Sequence, residues 1–149
     1  MLKSLKKMNL SSFITTMCSK RMSSHQKWVY AEKSQLFNVE FVNAFENVQT
    51  ESRCPFVVLD VRTDPEITLA DIPSTNKKGV AIPKYNIELQ YLLKDPNSYY
   101  TLPKDKYVIC MCHHGIRSST AAFHLKNRGY KALNLFGGID GLSQIWDDI

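Results

Sequence analysis

The chain has 149 residues, with 19 Lys and Arg against 14 Asp and Glu for a formal charge of +5, and 44% of its residues are hydrophobic. That length suits one domain with a real core and excludes a tandem of two; there is no internal repeat. No run of about 18 apolar residues is present, which excludes a membrane-spanning helix, and four irregularly spaced cysteines make no disulfide framework.

The positive charge belongs to the first segment. Residues 1–31 carry Lys3, Lys6, Lys7, Lys20, Arg21 and Lys27, many Ser and Thr, and no acidic residue before Glu32. Without those six of the 19 bases, 13 remain against 14 acids, close to neutrality. Leu2, Leu5, Phe13 and Met17 can share one helical face with lysines beside it, and Arg21 followed by Met22-Ser23-Ser24 resembles a processing site. The composition of residues 1–22 therefore resembles a mitochondrial presequence, leaving residues 23–149 as the domain and the mitochondrial matrix as its location. A cytoplasmic protein with a disordered basic tail, or with one that touches RNA or an acidic lipid surface, is the alternative.

Trp28-Val29-Tyr30 reads as a first short strand. Phe37, Phe41, Phe45 and Val48, spaced by four, four and three, predict a helix with a core-facing stripe. Residues 49–55 form a polar break, with Cys54 a bystander beside Pro55. Residues 56–59 read as a buried strand, and Asp60-Val61-Arg62 follows at the edge where open parallel sheets bind ligands. Lys77 and Lys78 sit in a turn between Ile72 and Ile82, where they either attract an acidic partner or are simply solvated. Residues 87–94 predict a helix, ended by Asp95-Pro96. A polar and aromatic connection then crosses the sheet's edge.

The informative stretch is Tyr107 to Thr120. Tyr107 to Met111 is a continuous apolar run that suits a strand buried on both faces, and Cys112 stands at its carboxyl end. A tight loop through Gly115 and Arg117 follows. From Ser118 the apolar positions Ala121, Ala122 and Leu125 mark an amphipathic helix that stops at Gly129. Residues 133–136 read as the last strand, and Gly137-Gly138 turns the chain into a final helix over 139–146.

This order has a chemical meaning, because N–H groups of a curled loop and a helix N-terminus converge on one spot and favour an anion there. Cys112 is the side chain in reach, and the thiolate is the nucleophilic form of cysteine. Bringing a thiol from a pKa of about 8.5 to about 6.5 takes roughly 2.7 kcal/mol, whereas a helix dipole contributes about 0.3 to 1 kcal/mol. Direct N–H donors and the charge of Arg117 are expected to supply the rest, aided by His113 and His114 as far as they are protonated. Cys110, two residues earlier, defaults to core packing. Cys112, His113 and His114 include metal-ligand types, but consecutive residues rarely converge on one ion, so no metal site is expected.

The segment CHHGIRSS, with an apolar strand before it and TAAFHLKNRGYKALNLFGGIDGLS after it, resembles the active-site half of a rhodanese-like domain of the single-domain type. FVVLDVR at residues 56–62, Glu66, Ile72-Pro73 and Ala81-Ile82-Pro83 resemble the family's first half, so the likeness covers most of residues 27–145. Residues 73–79 depart from the family's short Pro-Gly-Ala turn and are expected to reshape the entrance. The resemblance implies an α/β three-layer domain around a mostly parallel five-stranded sheet flanked by helices.

It also implies a sulfurtransferase in which Cys112 takes a sulfane sulfur from a thiosulfate-like donor and holds it as a persulfide. The acceptor would be cyanide or a thiol such as glutathione or a thioredoxin-like protein; delivery to a protein partner is the alternative. The active-site loop would be His113, His114, Gly115, Ile116, Arg117 and Ser118. Arg62, His114 and Arg117 would bind the donor, although Arg62 has the alternative of pairing with Glu66 four residues on. No dissociable cofactor, nucleic acid or membrane is implied. Related phosphatases and arsenate reductases use a loop one residue longer than Cys112 to Arg117, so the present loop is the sulfur-sized version.

Overall fold

The computed structural model describes residues 34–147 and 149. The leader over residues 1–22 and the strand expected at Trp28-Val29-Tyr30 lie outside the described residues.

Five parallel strands form one sheet: β1 (Gln35–Phe37), β2 (Phe56–Asp60), β3 (Lys84–Asn86), β4 (Tyr107–Met111) and β5 (Lys131–Phe136), in the spatial order β1-β5-β4-β2-β3. Among the described residues, four α-helices connect them, α1 (Asn38–Asn47), α2 (Asp64–Leu69), α3 (Leu89–Lys94) and α4 (Ile116–Lys126), and α5 (Gly138–Ser143) follows β5. The three-layer α/β architecture follows from strand composition. All five residues of β2 and of β4 are buried, so both faces of the sheet need a cover of helices.

The side-chain alternation of the strands divides the core in two. Phe56, Val58, Ile109, Met111, Leu133 and Leu135 face Phe41 and Phe45 of α1, Leu142 of α5 and Trp146. Val57, Leu59, Val108 and Cys110 face Leu92 of α3 and Ala121 and Leu125 of α4. Cys112 belongs to this second cluster, so it shares a side of the sheet with Cys110.

The predicted helix stripe over Phe37, Phe41, Phe45 and Val48 needs one correction. Phe41, Phe45 and Val48 are buried, but Phe37 ends β1, is 53% exposed and stacks edge-on against Phe136. Its place in the four-residue spacing is a coincidence of the strand running straight into the helix.

Residues 73–79 pack on the end of α1. The buried side chain of Asn76 donates to the carbonyls of Phe45 (3.1 Å) and Val48 (2.8 Å), and the Lys77 N–H donates to the Glu46 carboxylate at 2.9 Å. The unusual loop thus closes open carbonyls at a helix C-terminus. The segment carrying Tyr99 packs on the α4 side of the sheet, with the Tyr130 hydroxyl donating to the Tyr99 carbonyl at 3.1 Å.

Candidate active site

Cys112 follows β4 directly, and Val61 follows β2 alongside it, its N–H donating to the Met111 carbonyl at 3.0 Å. Both strands end at the carboxyl edge of the parallel sheet, where the chain must leave the ladder and its N–H groups become free to bind. The loop then curls through Gly115, whose φ of +95° is open to glycine and strained for other residues. The space is tight as well, because a Cβ at Gly115 would lie 3.1 Å from the Gly137 nitrogen and 3.2 Å from the Leu135 oxygen, both backbone atoms.

The curl is held from behind by the start of α5. The N–H of Ile139 donates to the Cys112 carbonyl at 2.9 Å, and that of Asp140 to the His113 carbonyl at 3.0 Å. Gly138 permits this approach, since a Cβ there would sit 2.4 Å from the His113 oxygen and 2.5 Å from the Cys112 oxygen. With the carbonyls turned toward α5, the loop presents N–H groups to the sulfur.

The Gly115 N–H donates to Cys112 Sγ at 3.0 Å, and the Ser118 hydroxyl lies 3.2 Å from the sulfur and 2.6 Å from Asn134 Oδ1, so its single hydrogen is shared between these two acceptors. Burial pushes the thiol pKa up, but the Ser118 hydroxyl and the N–H groups of Ser118, Gly115 and His114 more than offset it, and the value falls below that of an ordinary thiol. Cys110 is the contrast. Burial, with the charge of Cys112 nearby, drives its pKa far above the thiol range, and it stays an inert core residue.

The two arginines expected at the site have other partners. Arg117 donates from both terminal nitrogens to the Glu66 carboxylate, at 2.6 and 2.9 Å, so its charge acts on the sulfur through space and not by a direct bond. Glu66 also accepts from the N–H and hydroxyl of Thr63 at the start of α2. Chiefly the Arg117 bonds, reinforced by those of Thr63 and opposed by burial, hold the Glu66 carboxyl far below the usual carboxylate range. Arg62 is buried and makes its ion pair with Asp60 (2.7 Å), donating to Glu66 only at a backbone carbonyl, 3.2 Å away. The expected pairing of Arg62 with the Glu66 carboxylate is therefore replaced by two separate pairs.

His113 and His114 are exposed on the rim, their rings 4.0 Å apart, and His114 Nδ1 lies 3.7 Å from the Asp140 carboxylate. Ile116, 77% exposed, stands beside them. Ser118 is buried beneath the sulfur. Sequence reading did not single out Asn134, a buried polar residue in the last strand, whose side chain bonds to both Ser118 and the Gly115 carbonyl. Its signal was a lone amide in an otherwise apolar strand core.

A family model described as rhodanese-like domain matches residues 46–144, from the end of α1 through α5. The chain belongs to the rhodanese-like domain family. Among solved structures it is similar to a rhodanese-like domain protein from Staphylococcus aureus, at 24% identity over 74% of this chain and 90% of that one, with a TM-score of 0.56. A rhodanese-related protein from Thermoplasma volcanium is similar at 23% identity over 74% and 91% of the two chains, with a TM-score of 0.54. A Rhodopseudomonas palustris protein of unknown function, described as a possible tyrosine phosphatase, is similar at 20% identity over 84% and 94%, with a TM-score of 0.57. At these identities the likeness speaks for the fold of a rhodanese-like domain. No curated protein matched the chain.

Proposed function

We propose that this rhodanese-like domain is a sulfurtransferase that moves a sulfane sulfur from thiosulfate or a related donor, through a persulfide on Cys112, to a thiol or cyanide acceptor. One observation carries the proposal: Cys112 Sγ sits in a short loop that gives it the Gly115 N–H at 3.0 Å and the Ser118 hydroxyl at 3.2 Å, with its pKa below the ordinary thiol value. The Cys112 thiolate attacks the outer sulfur of thiosulfate, the S–S bond of the donor breaks, and sulfite leaves with the bonding pair. The acceptor thiolate then attacks the outer sulfur of the persulfide and carries it away, returning Cys112 as a thiolate.

Intact-mass analysis after brief exposure to thiosulfate tests this. A gain of about 32 Da on the wild type, absent from Cys112→Ser and removed by a thiol, is the expected result. No adduct with any sulfane donor would overturn the reading, and hydrolysis of an aryl phosphate dependent on Cys112 would replace it with phosphatase chemistry.

A second reading, delivery of the sulfur to a protein acceptor, is favoured by the exposed apolar residues Ile116 and Phe136, which line a shallow groove with His114 and Gly115 beside the loop. Loss of the added sulfur from loaded Cys112 to a cysteine of one specific protein, followed by mass, would support it. The basic, acid-free residues 1–31 support action in the mitochondrial matrix, to be tested by the location of a full-length fluorescent fusion and of one without residues 1–22.

A further inference from the structure

Asn134 occupies the middle of β5, paired in register with Gln35 on one side and Cys110 on the other. It is 3% exposed, and all its polar atoms are used: Nδ2 donates to Gln35 Oε1 at 2.8 Å and to the Gly115 carbonyl at 3.1 Å, while Oδ1 accepts from the Ser118 hydroxyl at 2.6 Å. The Gly115 carbonyl can only accept, so the amide nitrogen must face it. Oδ1 must then face Ser118.

This orientation creates a competition. The Ser118 hydroxyl has one hydrogen, and it lies between two acceptors, Asn134 Oδ1 at 2.6 Å and Cys112 Sγ at 3.2 Å. With the hydrogen on Asn134, the Ser118 oxygen is free to accept from a Cys112 S–H. For Ser118 to donate to a thiolate, its hydrogen must leave Asn134 and two oxygen lone pairs come face to face.

We propose that Asn134 is a positioning residue that withholds the Ser118 hydrogen from Cys112, favouring states in which the inner sulfur is uncharged over the bare thiolate. The thiol is one such state. A persulfide is the other, because its charge moves to the outer sulfur and the Ser118 hydrogen can return to the amide. Asn134 thus disfavours the bare thiolate relative to both the resting thiol and the loaded persulfide. This role depends on Cys112 being the reactive sulfur of the proposed sulfurtransferase.

A double-mutant cycle on the full chain separates this competition from the second bond of Asn134, to the Gly115 carbonyl. The pKa of Cys112 is read from the pH dependence of its alkylation by iodoacetamide, followed by peptide mass, in the wild type, Ser118→Ala, Asn134→Ala and the double variant. Other charged and titratable groups around the sulfur are Cys110 on β4, His113 and His114 in the loop, Arg117 with Glu66 of α2, Asp60 with Arg62 after β2, and Asp140 of α5. They are common to all four proteins and cancel in the cycle.

Ser118→Ala is expected to raise the Cys112 pKa about one pH unit more when Asn134 is already Ala than when it is Asn. An equal rise in both backgrounds, or a larger one in the presence of Asn134, would overturn the proposal. Thermal melting reports whether each variant is folded; if Asn134→Ala is not, Asn134→Val suits the strand and takes its place. Alkylation titrates the thiol whether or not sulfur is transferred, so failure here and failure of the sulfurtransferase reading are separate results.

Discussion

Arg117 and Glu66 stand 51 residues apart in sequence and are joined by two hydrogen bonds of 2.6 and 2.9 Å, which tie the start of α4 to the first turn of α2. The pair is about a third exposed at each partner, so solvent screens it and its contribution to stability is modest, about 1 kcal/mol. Its larger consequence is positional. Arg117→Ala and Glu66→Ala should each lower kcat/KM for sulfur transfer by about tenfold, and the double variant should lose no more than the worse single one. Additive losses would mean that the two residues act apart.

The same pair has a pH signature. The Glu66 carboxyl titrates lower in the folded chain than in the unfolded one, so its stabilising contribution is complete above the ordinary value of 4.5 and is lost as pH falls toward the folded value. The stability difference between the wild type and Glu66→Gln should therefore be full at neutral pH and shrink below about pH 4.5, measured by urea unfolding across that range.

Cys112→Ser should reduce sulfur transfer to background, a loss of about a thousandfold or more, while changing stability by less than about 1 kcal/mol. The exchange is nearly isosteric, and the Gly115 N–H and Ser118 hydroxyl can still bond to an oxygen. For the wild type, the alkylation rate of Cys112 should rise with pH through an inflection below that of a free thiol, since the bound donors favour the thiolate.

Much of this site is local in sequence and was therefore legible there. A continuous apolar strand, a cysteine, a glycine loop and a helix start follow one another within residues 107–126, and the structure keeps that order as β4, the loop and α4. The helix begins at Ile116, two residues before the expected start. What could not be read was set by long-range pairing. β1 is three residues long and exists because it pairs with Asn134, Leu135 and Phe136, about a hundred positions away. β3 is equally short and leans on β2. Pairing of Arg62 with Glu66, four residues on, was the alternative expected for that arginine, but Arg62 precedes α2 and four-residue spacing there does not bring the two side chains face to face.

Gly138→Ala would drive a Cβ into the His113 and Cys112 carbonyls. The loop would have to leave α5, giving up the Ile139 and Asp140 hydrogen bonds. The expected outcome is a loss of about 2–3 kcal/mol in chemical unfolding and at least a hundredfold loss of activity.

Arg62→Ala should behave as a core variant. It strips the guanidinium from the fully buried Asp60 carboxylate, leaving it the backbone N–H of residue 62 at 3.0 Å and Lys84 at 3.7 Å, and should cost about 3 kcal/mol. If Arg62 is structural in this way, KM for thiosulfate in the folded fraction should hardly move; a large rise in KM with unchanged stability would return it to donor binding.

Cys112 is 1% exposed, so its sulfur lies at the floor of the loop. A bulky disulfide or a folded protein's thiol meets the rim before it meets that atom. A persulfide would carry its outer sulfur about 2 Å further along the opening. The empty form would then be shielded from large thiols and the loaded form within their grasp, so that acceptors are screened by reach as well as by chemistry.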